Sequence, residues 1–222
     1  MRDDVLTGST VAILGGTGEL GRGLARRLAP TGLPLVLGSR DAPRARAVAE
    51  DLAAATAGDV RGASNQAAAR LGDVVLVAVP WPAHASLLAG LREELAGRVV
   101  VDCVNPLAVR AGAVRSLPVE EGSAAQQAAA LLPRSRVAAA FHHVAAASLL
   151  DPAGRLDADV LVLADDEDAA AAAMALADRI EGLRGVAAGG LVHAGPVEAL
   201  TALLIEVNRR HGVRAGLRLA GL

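Results

Sequence analysis

The chain of 222 residues contains no lysine and no tyrosine, and only one cysteine, one tryptophan and one phenylalanine. Each shortage excludes something. With Trp81 and Phe141 as the only aromatics, no platform for stacking nucleic-acid bases can be built. A single cysteine, Cys103, rules out an intramolecular disulfide and fits a reducing compartment. Its setting in the apolar run "VVVDCVNP" reads as a small buried residue rather than a nucleophile. Without lysine, all 22 cationic side chains are Arg, so finding an Arg means little and its position must decide. Charge of one sign is lacking too. A net charge of −2 and a pI near 6.2 give no electrostatic reason to expect nucleic acid as a partner.

Long hydrophobic segments are equally scarce. The longest uncharged run, Val74 to Leu91, has membrane length but is interrupted by Pro80 and Pro82, so a strand, a loop and a helix explain it better than a span. The N-terminal "MRDDVLTGS" is short and acidic, unlike a signal peptide. No H-E-x-x-H, paired Cys or Ser/His/Asp pattern supports a metal or acyl-transfer site. No repeat at solenoid periods is visible. A soluble cytoplasmic protein is expected, with no membrane partner.

What is present is a core built from Ala, Val and Leu, hydrophobic residues making up 53% of the chain. Short apolar runs alternate with Ala/Leu-rich stretches, the pattern of an α/β domain with a parallel sheet. Strands are expected at Thr10–Leu14, 34–38, 60–63, 73–80, 98–103, 136–141 and 159–164. Leu20, Leu24 and Leu28 place one apolar stripe on a first helix. Asp41 can cap a second helix, with Pro43 in its first turn, running to about Ala57. Further helices are expected from the fourth strand to about Ala96, over 123–132, over 168–182 and from Pro196 to His211. Residues 106–122 show no clear period and read as a loop.

Between the first strand and helix stands Gly16-Thr17-Gly18-Glu19-Leu20-Gly21, preceded by Gly15. Glycines there allow a tight turn, approach of backbone N–H groups to a pyrophosphate, and close helix–strand packing. The helix N-terminus adds partial positive charge for the anion. Glu19 is an acid beside this site, and its side chain is expected to face solvent while its N–H serves the anion. At the tip of the second strand a cofactor with a free ribose 2′-OH wants Asp or Glu. Ser39 and Arg40 occupy it, with Arg44 one turn further, and a hydroxyl with guanidinium groups suits a 2′-phosphate. NADP(H) is therefore expected rather than NAD. Three later strand ends face the same side: Val79-Pro80-Trp81-Pro82, Val104-Asn105-Pro106-Leu107 and Phe141-His142-His143. Trp81 either caps the core or walls a nicotinamide pocket. Asn105 either hydrogen-bonds ribose or carboxamide, or only starts a turn before Pro106. One of His142 and His143 is structural and the other faces the ligand, and the sequence does not choose between them. No acid–base pair stands out, which suits hydride transfer, where positioning matters most because the cofactors carry the chemistry.

The segments "GGTGELGRGLARRLA", "GSR", "VAVPW", "SAAQQAAALL", "FHHVAA", "EGLR" and "VEALTALLIEVNRR…AGLRLAGL" together resemble the NADPH-dependent coenzyme F420 reductases, in order from Thr10 to Leu222. The resemblance implies a Rossmann-type, doubly wound parallel sheet over residues 1–190 and a small helical C-terminal part over 191–222. It implies hydride exchange between nicotinamide C4 and C5 of the deazaflavin F420. By position it implies that Thr17 to Leu20 lie on the pyrophosphate and that Ser39, Arg40 and Arg44 hold the 2′-phosphate. Val79, Trp81 and Asn105, with the adjoining Pro80 and Pro106, then fall by the nicotinamide half, and His142, Ala146 and Ala215 near the deazaflavin. Two departures stand out: His84 comes one residue later than in members reading P-W-x-H, and "HHVAAA" lacks a proline. Two other functions fit the same architecture. One is an NADPH reductase acting on an imine, a flavin or ferric ion; the other is an NADP-sensing module without turnover. The apolar last helix calls for a partner surface, which implies a homodimer.

Overall fold

The computed structural model describes residues 5–222; of the N-terminal segment read above as no signal peptide, residues 1–4 lie outside the described residues. Strand β1 (Val11–Leu14) and helix α1 (Glu19–Leu28) are followed by a short 3-10 turn, β2 (Leu35–Ser39), α2 (Ala42–Thr56), β3 (Val60–Ser64), α3 (Asn65–Leu71) and β4 (Val74–Val77). Next come α4 (Trp81–Gly90), β5 (Val99–Asp102), β6 (Leu107–Arg110), β7 (Ala113–Ser116), α5 (Ala124–Leu131) and β8 (Arg136–Ala139). The chain closes with α6 (Ala146–Leu150), β9 (Ala158–Ala164), α7 (Glu167–Asp178), β10 (Leu183–Gly189) and α8 (Ala194–His211).

Eight strands form one sheet in the order β10-β9-β8-β5-β4-β1-β2-β3. From β3 to β8 every neighbouring pair is parallel, which is the α/β, Rossmann-type doubly wound arrangement. β9 runs antiparallel to β8, and β10 parallel to β9. Both faces are covered, so the strands are apolar throughout rather than alternating. Val11 and Ile13 of β1 pack with Leu24, Leu28, Leu35 and Leu37 on one face; Ala12 and Leu14 pack with Val36, Val75 and Val77 on the other. Full burial of a side chain such as Leu24 or Leu28 contributes about 1.5–3 kcal/mol. The stripe expected on α1 is thus the face that seats that helix against the sheet, and it fixes where the preceding glycine turn must lie.

Four expectations need correction. Residues 106–122 are not a plain loop, because β6 and β7 pair as an antiparallel hairpin with Arg110 opposite Ala113. Its two central residues, Ala111 and Gly112, have φ of 51° and 76°, as a two-residue turn of matching twist requires. Helix α4 stops at Gly90 instead of Ala96, and turns follow although Leu91 and Leu95 stay buried. Helix α7 ends at Asp178 instead of 182, the chain turns through Gly182 at φ 82°, and a further strand that was not expected, β10, follows. The helices α3 and α6 also lie where no element was expected. Five-residue α6 is held from outside: the Arg27 guanidinium donates to the carbonyls of Ser148, Leu149, Asp151 and Gly154 at 2.7–3.0 Å. Carbonyls at a helix end lack intrahelical donors, and one guanidinium supplies them here.

After α8 the chain returns to the sheet edge. Asp159 N–H donates to Leu217 O at 2.7 Å, and Leu219 N–H donates to the Asp159 carboxylate at 2.6 Å. Arg184 grips that carboxylate with two bonds of 2.8 Å. The Arg184 hydrogen bonds, then that of Leu219, hold its pKa down to about 2. No helix among the described residues is long and apolar enough to cross a membrane.

Candidate functional site

Strand β1 lies between β2 and β4, so chain order reverses there and the strand tips open a crevice, the general ligand position of such sheets. A cleft of about 720 Å³ occupies it, lined by the β1–α1 turn, the tip of β2, Asn65 and the segment from Ala78 to Leu87. The turn is tight because Gly15 adopts φ 75°, a left-handed conformation, and a Cβ there would sit 2.6 Å from Ala78 O. At Gly21 a Cβ would lie 2.7 Å from Gly15 O, so that glycine lets α1 approach the turn. Gly18 stands at the N-cap without a side chain to occupy the first-turn N–H groups. Those groups have no intrahelical acceptor and carry the positive end of the helix dipole. A ligand phosphate can take their place.

The tip of β2 adds the cationic wall. Ser39 is buried; its Oγ accepts from Thr17 Oγ1 at 3.3 Å and from Asp41 N–H at 3.2 Å, tying this tip to the glycine turn. Asp41 caps α2 by accepting from Arg44 N–H at 3.0 Å, as expected from its place before Pro43. Arg40 and Arg44 both line the cleft and are exposed. Among the described residues neither guanidinium has a carboxylate partner, in contrast with Arg61, Arg70, Arg98 and Arg184. Asn65 closes the cleft from α3, its Oδ1 accepting from Gly15 N–H at 3.2 Å.

Of the residues expected around the dinucleotide, Gly15, Thr17, Gly18, Ser39, Arg40, Arg44, Val79 and Pro80 line this cleft. Gly16 lies behind it, donating to Ile13 O and Gly38 O, and Glu19 is exposed. Leu20 packs on the core beneath α1. Trp81 begins α4 and is half-buried against the core, with its ring stacked on His84 at 5.4 Å. Asn105 spans two elements at the β5 tip: its Nδ2 donates to His142 O at 2.8 Å, and its Oδ1 accepts from Thr201 Oγ1 of α8 at 3.3 Å. Pro106 faces a second cleft, of about 320 Å³, between the β6–β7 segment and α8.

At the β8 tip Phe141 takes φ 66°, a rare conformation for a bulky buried residue. This turns the chain so that His142 and His143 point into different surroundings. His143 Nε2 accepts from Leu161 N–H at 3.3 Å and is fixed to β9. His142 is buried, and neither ring nitrogen has a hydrogen-bond partner among the described residues. Burial lowers the pKa of both to about 4, so both rings are neutral near pH 7. A small cleft beside them is lined by His143, Val144, Ala145, Ser148 and the tail residues Arg214, Ala215 and Gly216. Ala215 therefore joins the histidine segment, whereas Ala146 starts α6 just behind it. Cys103 is buried, and burial pushes its thiol well above the ordinary range, which suits a packing role.

Residues 10–106 match the family described as "NADP oxidoreductase coenzyme F420-dependent". An F420-dependent NADP reductase of Methanothermobacter marburgensis is 39% identical over 220 residues, covering 96% of this chain and 98% of the relative. The chain belongs to the F420-dependent NADP reductase family. The like-named protein of Methanocaldococcus jannaschii is 36% identical over the same share of both chains. Among solved structures, a candidate F420-dependent NADP reductase of Arthrobacter sp. FB24 superposes with a TM-score of 0.79 at 27% identity, over 96% of this chain and all of that one.

Within this reductase fold, sequence reasoning missed three polar residues. Asn65 follows a Ser64 N-cap and could have been suspected from that capping pattern. Glu198 is buried and accepts from Ala124 and Ala125 N–H at 2.9 and 3.1 Å, joining α8 to the start of α5. Burial raises its pKa to about 7. His84, noted only as a departure in spacing, is wholly buried on Asp102. Nothing local in the sequence marks either of the last two.

Proposed function

We propose that this chain exchanges a hydride between NADP(H) and coenzyme F420. The reading rests on its full-length membership of a family whose relatives are named F420-dependent NADP reductases. The cleft fits the dinucleotide: the glycine turn lines it together with Arg40 after β2 and Arg44 on α2, which have no carboxylate partner among the described residues. The deazaflavin side offers a buried His142 whose two ring nitrogens have no partner among the described residues.

In this reading Thr17 to Leu20 lie on the pyrophosphate, on the turn formed by Gly15 and Gly16, and Ser39, Arg40 and Arg44 hold the 2′-phosphate. Val79, Pro80, Trp81, Asn105 and Pro106 border the nicotinamide half; His142, Ala146 and Ala215 border the deazaflavin. The small C-terminal part, 191–222, serves the acceptor side by bringing Thr201 and Ala215 to the β5 and β8 tips. When bound, the dinucleotide supplies a hydride at nicotinamide C4 and F420 takes it at C5. The protein's own work is positioning. Well-oriented partners react as if at effective molarities of about 10⁵–10⁸ M, so an obligatory acid–base pair is not needed for the hydride itself. Neutral His142 can donate from one ring nitrogen and accept at the other, which orients a ring without adding charge. A second copy packs on the outer face of α8, where Leu203 and Ile205 are exposed, and the homodimer works in the cytoplasm. Sedimentation of the pure protein checks the dimer.

The test of function mixes the protein with F420 and NADPH deuterated at C4. The oxidised deazaflavin absorbance falls, and the label arrives at C5 on one face only. Label lost to water would overturn direct transfer. NADPH oxidation that proceeds with an imine, a flavin or ferric ion but not with F420 would overturn the acceptor. Tight NADPH binding with no turnover of any of them would leave a sensing module instead.

A further inference from the structure

Beneath Trp81 a buried imidazole is held from both sides. His84 Nε2 lies 2.7 Å from Asp102 Oδ2, and both side chains are fully buried. Its Nδ1 lies 3.0 Å from Gln127 Oε1. The amide orientation is fixed by a third group, since Gln127 Nε2 donates to the Glu121 carboxylate at 3.2 Å. An amide oxygen can only accept, so Nδ1 carries a hydrogen. The other Asp102 oxygen, Oδ1, accepts from Val104 N–H at 3.0 Å, which leaves Oδ2 for Nε2. A proton between imidazole and carboxylate stays on the more basic imidazole. Both ring nitrogens therefore donate, and the ring is an imidazolium.

The same ring touches both strand tips next to the proposed nicotinamide end. Through α4 it sits one turn after Val79-Pro80, and the Trp81 ring stacks on it with an interplanar angle of 30°. Through Asp102 it reaches the β5 tip, where the carboxylate fixes Val104 N–H one residue before Asn105. We propose that His84 is a positioning residue, a protonated clamp that locks the β4 and β5 tips and the Trp81 ring for hydride transfer. The role in transfer rests on the function proposed above; the charge state does not.

The groups facing the ring are Asp102 on β5, Gln127 on α5 with Glu121 before it, Trp81 on its own helix, and Glu198 on α8. Burial, the largest single influence, works against the charge, but the Asp102 hydrogen bond and charge, with the Gln127 hydrogen bond and the Glu198 charge, together outweigh it and the pKa of His84 is raised. Losing the Asp102 charge should then leave burial to win and neutralise the ring. An unpaired buried cation is expensive, whereas a neutral imidazole is not.

The chain reports on this directly, because Trp81 is its only tryptophan and it has no tyrosine. A protonated imidazole stacked on indole quenches its emission, and a neutral one does so far less. Emission is measured at pH 8, where an ordinary imidazole is neutral and Glu198, at about 7, is mostly ionised. The wild type should be dim, and both Asp102→Asn and His84→Gln should be bright. In the deuteride assay His84→Gln should lose about 10–10²-fold in kcat, while its affinity for NADPH, set by distant phosphate contacts, stays near wild type. A wild type as bright as His84→Gln would overturn the imidazolium, and this comparison holds even if Asp102→Asn fails to fold. An unchanged kcat in His84→Gln would overturn the positioning role. If wild type fails to reduce F420 yet remains dim at pH 8, the function reading falls and the clamp stands.

Discussion

Arg40 and Arg44 are informative because of what they do not touch. Arg61, Arg70, Arg134, Arg209, Arg214 and Arg218 are exposed and sit on carboxylates, whereas among the described residues these two face the cleft without one. A hydrogen bond to a charged group contributes about 1.5–3 kcal/mol, so Arg40→Ala should weaken NADPH by that amount and leave NADH nearly unchanged. Titrating both cofactors checks this, and equal losses would show that Arg40 does not read the 2′-phosphate. Residues of this kind were legible because their meaning depends on near neighbours: the glycines on a strand and a helix, Arg40 on a strand tip, Asp41 on Pro43. His84, Asn65 and Glu198 take theirs from partners 18, 50 and 73 or 74 positions away. No periodicity records such a distance. Even Trp81, singled out by its place after a strand but found as the first residue of α4, gave no sign that its ring rests on an imidazole.

Among the elements, the C-terminal tail is the one most dependent on a single side chain. Asp159 accepts from Leu219 N–H and from Arg184 and Arg218, so one carboxylate holds the return of the chain to the sheet. Asp159→Asn keeps the shape but removes the charge and turns one acceptor into a donor facing these donors. The segment 213–222 should then be cut faster in limited proteolysis. KM for F420 should rise, because Ala215 and Gly216 border the histidine cleft, while NADPH binding holds. Unchanged cleavage and an unchanged KM would show that the tail is secured by packing alone. The helices α1, α2, α5 and α8 were legible from caps and stripes. β10, "LRGVAAG", was not, since five of its seven residues are Gly, Ala or Arg and strand propensity is low there. Nor was α6, which has five residues and owes its end to Arg27, more than 120 positions earlier. The hairpin hid because its turn places Ala111, instead of Asn or Asp, at positive φ.

For the whole molecule, the parallel core follows from the alternation of strand and helix, since each crossover must return the chain in the same direction. The reversal at β9 does not, because the route from β8 through α6 looks locally like another crossover. That reversal carries the start of β9 past the β8 tip, where Leu161 meets His143 and Asp159 meets the tail, while other buried titratable groups, among them His142, His84 and Glu198, come from other elements. Their linkage sets a pH optimum for stability. His142 and His143 are depressed from 6.5 to about 4, mainly by burial, so their contribution is present above 6.5 and is lost as pH falls toward 4. Glu198 is raised from 4.5 to about 7, again by burial, so its contribution is present below 4.5 and is lost as pH rises toward 7. Between 4.5 and 6.5 the unfolded chain therefore binds two more protons at the histidines and one fewer at the glutamate. The net of one proton makes stability rise by about 1.4 kcal/mol per pH unit. Above 6.5 only the loss at Glu198 remains, joined by His84 as pH passes its raised pKa, so stability should peak near pH 6.5. Glu198→Gln removes the opposing proton, and the acid-side slope should steepen to about 2.7 kcal/mol per unit. Urea unfolding of both proteins from pH 5 to 8.5 measures these slopes. A wild-type stability that is flat across the range, or a variant with the wild-type slope, would mean that these groups titrate alike in the folded and unfolded chain.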